Sequence, residues 1–304
     1  MSTIPRVTDT QRRALLARRH LLGPEHRAAS VRGVAEAVLA LHATDPATVH
    51  LSVAARLHDA RHEDVEPALC EPGSLLRMTA MRCTLFVVPT ALAPVMLAAA
   101  GRPQAAARTK DLLRRLEQTG LGDAAWLEKV GEAALEALRE RGEASTAELA
   151  AAVPGLERQI VVSPGKPYES RRSIASEVLF VLAAEGRIVR GSRRGGWTSN
   201  QYAWAPAPAP AALPARQARA GLARHWLGAF GPGTLADLKW WTGWTLTDTR
   251  TALADAGAVE VALDERDAPG FVRAEDLDAL AAGDADEHEP SAVLLPALDP
   301  TPMG

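Results

Sequence analysis

The sequence predicts an α+β fold, mainly helical, with small β-hairpin wings in tandem winged helix-turn-helix domains. Three times along the 304 residues, short capped helices are followed by an apolar or β-branched run typical of a strand. A domain has about 150 residues, so this length allows two domains or three small ones. The hydrophobic fraction of 47% is sufficient for several cores. The predicted domains are residues 1–118, 119–206 and 207–304.

The first module begins with three predicted helices. One covers Thr8–Arg19, and a second starts after Ser30, has apolar residues at helical spacing and ends near His42–Thr44. Asp45-Pro46 begins the third, because aspartate is a favoured N-cap and proline fits the first helical position. The run Thr84–Val88 is predicted to form the strand that follows.

The second module combines an amphipathic helix, a capping box and a basic hairpin. Ala124–Arg141 carries one apolar stripe, and Ser145–Glu148 has the spacing of a capping box at the start of a short helix. Another helix covers Ser173–Ala184. The strands Ile188–Arg190 and Gln201–Trp204 flank a loop rich in arginine and glycine, so a wing with a basic tip is predicted.

The third module repeats this order after a connector of polyproline type at residues 205–210. Its predicted elements are helices at Gln217–Leu227, Thr234–Trp240 and Thr245–Leu253 and a strand at Val259–Leu263. The apolar run Leu294–Pro300 has the pattern of a chain entering a strand. We therefore expect the third domain to be incomplete on its C-terminal side.

The charge is distributed unevenly along the chain. Residues 260–290 contain eleven acidic side chains against two arginines, a local charge of −9, which leaves +6 for the remainder of a chain whose net charge is −3. The pI near 6.3 therefore does not exclude a nucleic-acid-binding face.

Several functional classes are excluded by residue content. Cys70 and Cys83 are too few for a disulfide framework or a four-thiolate zinc site. His58 and His62 lie four residues apart without an evident third ligand, so neither a metal nor a cofactor is predicted. The longest apolar stretch, Leu85–Ala100, is shorter than the roughly 20 residues of a membrane span, and no leader peptide is evident. A soluble cytoplasmic protein is predicted.

Five segments carry a resemblance to a known family. They are Leu41–Pro46 with a downstream Ala55-Arg56, Met81–Pro89, Gly186–Gly191, Asp237–Trp244 and Leu294–Gly304. In that order they resemble the AlkZ/YcaQ superfamily of bacterial DNA glycosylases, over essentially the whole chain. The resemblance implies a C-shaped arrangement of three winged-helix domains that cups duplex DNA.

The resemblance also implies an activity. Members of this family hydrolyse the bond between an alkylated purine and its deoxyribose in double-stranded DNA, as monofunctional glycosylases. In actinobacterial members the substrates are often bulky adducts or interstrand crosslinks, including those made by the producer's own genotoxins. We therefore expect a monomeric, nucleoid-associated repair enzyme with a possible role in self-resistance.

The catalytic triplet departs from the family pattern. Characterised members carry Gln-apolar-Gln or Gln-apolar-Asp, whose polar side chains position the catalytic water, and the aligned residues here are His42-Ala43-Thr44. His42 takes the first position and Thr44 the second, with Asp45 as a candidate stabiliser of the sugar cation. A neutral imidazole can accept a proton from water. The alternative is structural, with His42 at a helix end and both Thr44 and Asp45 as caps.

Cations of the wing, of the helical segment 102–115 and at two further positions are candidates for phosphate contact, because wings commonly lie along phosphates or in the minor groove. The predicted DNA contacts are Arg56, Arg82, Arg102, Arg108, Lys110, Arg114, Arg115, Arg187, Arg190, Arg193 and Arg194. The alternative is a solvated helix face or, for Arg82, a carboxylate partner.

Trp240, Trp241 and Trp244 can stack on bases, but adjacent aromatics between two helices are favoured as core.

Two rival functions remain open at this point. One is a non-catalytic winged-helix DNA-binding protein or transcriptional regulator that kept the scaffold without the glutamines. The other is a structural remnant that binds no DNA, which the negative net charge permits.

Overall fold

The computed structural model describes residues 4–162, 165–167, 169–208, 213–264, 268–281 and 292–303. They form helices and small, mostly antiparallel sheets, which confirms the predicted α+β class. The helices are α1 (Asp9–Arg19), α2 (Val31–Ala37), α3 (Pro46–Ala54), α4 (His62–Cys70), α5 (Ala93–Met96), α6 (Arg102–Thr119), α7 (Ala124–Arg141), α8 (Thr146–Ala152), α9 (Ile174–Ala184), α10 (Ala215–Phe230), α11 (Leu235–Thr242), α12 (Leu246–Asp255), α13 (Leu277–Ala281) and α14 (Pro300–Met303). The strands are β1 (Arg6–Val7), β2 (Leu41–His42), β3 (Leu75–Thr79), β4 (Leu85–Pro89), β5 (Gln159–Val162), β6 (Ser170–Ser173), β7 (Ile188–Arg193), β8 (Tyr202–Pro206), β9 (Gly233–Thr234), β10 (Ala258–Leu263) and β11 (Gly270–Arg273).

Local capping fixes the helix starts where the sequence predicted them. Asp45 Oδ1 accepts a hydrogen bond from the backbone N–H of Ala47 at 3.0 Å, at the start of α3. At α8, Ser145 and Glu148 exchange side chain-to-backbone hydrogen bonds of 3.2 and 2.6 Å, which is the predicted capping box. These bonds satisfy amides that have no partner inside the helix.

Helix α2 is shorter than predicted. It ends at Ala37 rather than near His42–Thr44, and Leu41–His42 forms a strand instead. The four residues Val38–Leu41 are all buried, so the apolar run continues past the end of the helix and hides the change of structure. Leu39, with a φ of 67°, departs from helical backbone geometry at this point.

A five-stranded sheet in the order β2-β4-β3-β7-β8 joins the first two modules. Strand β3 pairs with β4 on one side and with β7 on the other, where Arg77 lies opposite Arg190. The sequence analysis predicted the β7–β8 hairpin, called the wing below, but not β3. The wing is therefore one edge of a shared sheet.

A helical stretch over residues 93–119 links two hydrophobic cores. Its first part, α5 and the π-helical turn Leu97–Gly101, packs in a core shared by the first and third modules, with Met96 against residues such as Trp226. Its second part, α6, contributes Leu112 and Leu116 to the core of the second module. The division into residues 1–118 and 119–206 remains a prediction, since this helix serves both sides of it.

The third module has helices α10, α11 and α12 followed by the β10–β11 hairpin, in the predicted order. Thr234 and Thr245 cap α11 and α12 through hydrogen bonds of 3.1 Å from backbone amides. Strand β1 pairs in parallel with β10, with Arg6 opposite Ala262. Residues from the start of the sequence thus extend the sheet of the third module.

The segment 292–303 does not form the strand expected at Leu294–Pro300. It is irregular up to Asp299 and ends in the short helix α14. Thr48 of α3 donates a hydrogen bond from its hydroxyl to the Ala297 carbonyl at 2.8 Å. The segment is therefore held against the first module rather than added to a sheet.

Arg56 is the main anchor of this segment, and its position does not support the predicted contact with DNA. Its side chain is fully buried and makes a two-pronged ion pair with Asp299, at 2.6 and 2.8 Å. It also donates to Thr301 Oγ1 at 2.7 Å and to the His20 carbonyl at 2.9 Å. A guanidinium enclosed in this way cannot reach a phosphate.

Candidate active site

His42 lies on β2, where it pairs with Phe86 of β4. Its imidazole makes an edge contact with the Phe86 ring, with 4.9 Å between ring centroids, and the residue is only 6% exposed. Its Nδ1 atom is buried and has no hydrogen-bond partner among the residues that the structure describes. A buried polar atom without a partner costs about 1–3 kcal/mol, so it calls for an explanation beyond packing.

The surroundings keep this imidazole neutral. Burial lowers the pKa of His42, and the positive charge of Arg82 lowers it further. Its ordinary pKa is already about 6.5, so the neutral form dominates at pH 7. A neutral imidazole can accept a proton, as a base at this position must.

Thr44 and Asp45 are both exposed, whereas Ala43, which lies between His42 and Thr44, is buried. The Ala43 amide donates to the Leu85 carbonyl at 2.8 Å, which continues the β2–β4 pairing past His42. One Asp45 oxygen caps α3, so the structural role foreseen for this residue is present. The Thr44 hydroxyl lies at the surface next to the strand that carries His42.

A strained turn, Met81–Cys83, connects β3 and β4 beside this strand. Arg82 and Cys83 have φ angles of 53° and 58°, a region that residues other than glycine seldom occupy. The Cys83 amide donates to Gln104 Oε1 of α6, and the Thr84 hydroxyl donates to the Met81 carbonyl at 2.9 Å. Sequence reasoning did not identify Gln104 because its partner lies on another element.

The prediction that the three tryptophans are core residues is wrong for Trp240. Trp241 and Trp244 are buried in the core shared by the first and third modules, as expected, and Trp244 donates to the Ala99 carbonyl at 3.0 Å. Trp240 is instead 49% exposed. The Arg82 guanidinium lies over its ring, 4.4 Å from the centroid.

The wing arginines are largely engaged within the protein. Arg187 pairs with Glu132 and lies within 3.8 Å of Glu128. Arg194 pairs with Glu148 at 2.9 Å, and a hydrogen bond from the Ser145 amide together with Arg194 lowers the pKa of that carboxyl to about 2. Their predicted DNA contacts remain predictions, but these charges already have partners.

Arg190 and Arg193 are turned toward the protein. Arg190 lies 3.6 Å over the Trp204 ring, and burial lowers its pKa to about 10. The Arg193 side chain is buried, with its Nε 3.3 Å from Glu66 Oε2. The expectation that Arg193 reaches a phosphate is therefore not supported by its position.

Glu66 organises a cluster that the sequence analysis missed. It accepts hydrogen bonds from Arg77 at 3.0 and 3.2 Å, in addition to its ion pair with Arg193. Trp197, in the wing loop, lies over His50, with 5.6 Å between ring centroids. These contacts hold the wing loop against α3 and α4. No local sequence pattern predicts them, because the partners are distant in sequence.

The basic stretch on α6 divides into paired and unpaired charges. Arg114 and Arg115 both pair with Asp111, and Arg115 also lies 3.6 Å from Glu177. Arg108 lies over the Phe180 ring at 5.6 Å and is exposed. Arg102 and Lys110 are exposed and form no ion pair with the residues that the structure describes. Their contact with phosphate remains a prediction.

The described ranges contain neither a cluster of metal-ligating side chains nor a membrane-spanning helix. Within them, no three His, Cys, Asp or Glu side chains are grouped closely enough to hold a metal ion. No helix in that part of the chain has the length and apolar character needed to cross a membrane.

Capped helices followed by short β-hairpins, repeated along the chain, define the class as a winged-helix protein. The chain belongs to the AlkZ-like DNA glycosylases, because the family model described as "DNA glycosylase AlkZ-like" matches residues 35–304. By family it is a monofunctional DNA glycosylase, a hydrolase that binds DNA.

A solved structure agrees with this fold. The DNA glycosylase AlkZ of Streptomyces sahachiroi superposes with a TM-score of 0.69 and 22% sequence identity, covering 91% of this chain and 72% of that one. No curated protein matches the chain.

Proposed function

We propose that this glycosylase removes bulky or crosslinking alkylated purines from duplex DNA, with His42 and Thr44 directing the attacking water. The observation that carries this is the neutral, buried His42 imidazole with an unpartnered Nδ1, next to the exposed Thr44. The resemblance of Leu41–Pro46 and the other family segments supports the substrate class. A role in resistance to the producer's own genotoxin, and a monomeric cytoplasmic enzyme on nucleoid DNA, belong to the same proposal.

The chemistry needs little from the protein at the leaving group. A purine alkylated at N7 or N3 is cationic, so it departs as a neutral base when its bond to C1′ breaks. Water then forms the new C1′–O bond and loses a proton, which His42 accepts. The Thr44 hydroxyl holds that water, and the free oxygen of Asp45 stabilises the positive charge on the sugar.

Arg82 adjusts this base through its charge. In the free protein, burial lowers the pKa of His42, and the charge of Arg82 lowers it further. When a phosphate pairs with Arg82, that lowering is offset, and His42 becomes a stronger base with DNA in place. The neighbouring cation therefore couples DNA binding to the readiness of the base.

The experiment measures base release from duplexes carrying N7-alkylguanine under single-turnover conditions. His42→Ala should slow release by roughly 100- to 10,000-fold, the usual contribution of general-base catalysis. His42→Gln places the family's glutamine at this position and should retain base release. Its rate should not fall in acid, because glutamine does not titrate as imidazole does. His58→Ala serves as a control histidine on the same module.

Each alternative gives a distinct result. Wild-type release that His42→Ala leaves unchanged contradicts the role of His42, while the enzyme class survives. Tight DNA binding without release from any adduct supports the non-catalytic regulator. No binding to unmodified duplex even at low salt supports the remnant.

A further inference from the structure

Arg82 and Trp240 form one surface feature that two modules build together, called the ledge below. Arg82 belongs to the β3–β4 turn of the first module, and Trp240 to α11 of the third. The guanidinium lies 4.4 Å above the indole centroid, within the range of a cation–π contact. The indole is 49% exposed, which is unusual for the largest apolar side chain.

The backbone under the ledge is held in a costly conformation. Left-handed geometry at Arg82 and Cys83 persists only where the surroundings enforce it, and such strain concentrates at functional sites. A hydrogen bond from the Cys83 amide to Gln104 Oε1 holds the turn. The Arg82 side chain passes close to Gly243, where an added Cβ would come within 3.2 Å of Arg82 Cγ. The structure thus fixes where the guanidinium sits.

The charge on the ledge is uncompensated. Arg82 forms no ion pair within the described ranges, and its Nε is buried without a hydrogen-bond partner. Lys239, directly before Trp240, is also exposed and makes no ion pair with a described residue. With one face of the guanidinium covered by the indole, its N–H edge remains available for an anion.

The ledge lies beside the predicted base. The charge of Arg82 acts on His42, and the turn that carries Arg82 leads directly into β4, which pairs with the His42 strand. An anionic, flat-faced ligand that meets the ledge is therefore also brought next to His42. Duplex DNA has both properties, phosphates at its edge and bases or sugars with faces to stack.

We propose that the ledge is a DNA contact of the active site, in which Arg82 binds a phosphate and Trp240 packs against a base or deoxyribose beside the lesion. The proposal rests on the glycosylase function for its place near the lesion. It also gives the third module a direct part in the active site. Trp240 becomes a residue that positions the substrate rather than one that fills a core.

Two readouts test it, with variants at the ledge and away from it. Fluorescence anisotropy gives the Kd for an unmodified duplex at several salt concentrations, and single-turnover base release gives the rate. Trp240→Ala should weaken binding about 10-fold, a typical effect of losing one aromatic stacking partner, whereas Trp240→Phe should stay near wild type. Arg82→Gln should reduce the slope of log Kd against log salt by about one phosphate contact. Trp126→Ala, at a partly exposed tryptophan on α7 that is outside the predicted DNA contacts, is the matched control.

The outcomes separate the ledge from the catalytic proposal. Wild-type affinity in a folded Trp240→Ala protein, verified by its Tm, overturns the ledge even if base release continues. Weakened binding in Trp240→Ala supports the ledge. If the wild type also releases base from no adduct, catalysis at His42 is rejected while the ledge stands. An equal loss of affinity in a folded Trp126→Ala protein shows a general effect of surface aromatics and also rejects the ledge.

Discussion

The arginines of the wing and the single arginine of the β3–β4 turn differ in what surrounds them. In the wing, Arg187 and Arg194 lie against Glu132 and Glu148, and Arg193 is held by Glu66 of the first module. Arg82 faces an exposed indole and has no carboxylate partner in the described part of the chain. The wing arginines therefore bind carboxylates of the protein itself, whereas the Arg82 guanidinium remains available to an external anion.

The difference shows that a cluster of arginines in a sequence does not by itself locate a DNA surface. The wing has the higher local density of basic residues, but acidic residues from α4, α7 and α8 neutralise much of it. Those partners are distant in sequence from the wing. Experiments on single arginines can therefore separate structural from DNA-binding roles.

The largest effect is expected at a wholly structural arginine. Asp299→Asn leaves the buried Arg56 charge without its counterion, which typically costs about 3–5 kcal/mol. The free energy of unfolding in urea measures this loss. Arg82→Gln should change it by well under 1 kcal/mol, and a comparable loss in that variant would show that Arg82 is structural too.

The next effect is a loss of stability in acid. Burial and the charge of Arg56 lower the pKa of His20 to about 3. The unfolded chain takes up a proton on this histidine near pH 6.5, so stability present above that pH is lost as pH falls toward 3. Burial raises the pKa of the Asp299 carboxyl, but the hydrogen bonds and charge of Arg56, together with hydrogen bonds from Ser52 and Thr301, lower it overall, so its contribution is also lost in acid. In His20→Gln, the free energy of unfolding should depend less on pH between 6.5 and 3.

A smaller effect is expected on the pH profile of base release. Because the Arg82 charge lowers the pKa of His42, Arg82→Gln should raise that pKa. The acid limb of the single-turnover rate at saturating DNA then moves to higher pH. Arg194→Gln should leave the limb in place, and a shift in that variant would mean that the effect is not local to Arg82.

The smallest effect is expected at Arg194. Its ion pair with Glu148 is largely exposed, and such pairs contribute little to stability because solvent and salt screen the two charges. Arg194→Ala should change neither the free energy of unfolding nor the salt dependence of DNA binding appreciably. A reduced salt slope would instead show that the wing contacts phosphate after all.

Sequence patterns were most informative where the cause is local. The bounds of α7 and the caps at Asp45 and Ser145 follow from residues within one helical turn. The β3 strand and the placement of His42 on β2 depend on pairing between distant segments, so periodicity along the chain does not contain them. The same holds for the candidate site. The candidate residues could be predicted from the sequence. The contact between Trp240 and Arg82 and the ion pair between Asp299 and Arg56 could not, because the partners are far apart in the chain.

The ion pair between Arg56 and Asp299 also sets an order of events during synthesis. The two residues are 243 positions apart, so a ribosome moving at about 5–20 residues per second makes the second roughly 10–50 s after the first. Until then the nascent chain carries an unneutralised guanidinium inside its earliest module. Complete burial of that charge must therefore await the synthesis of Asp299.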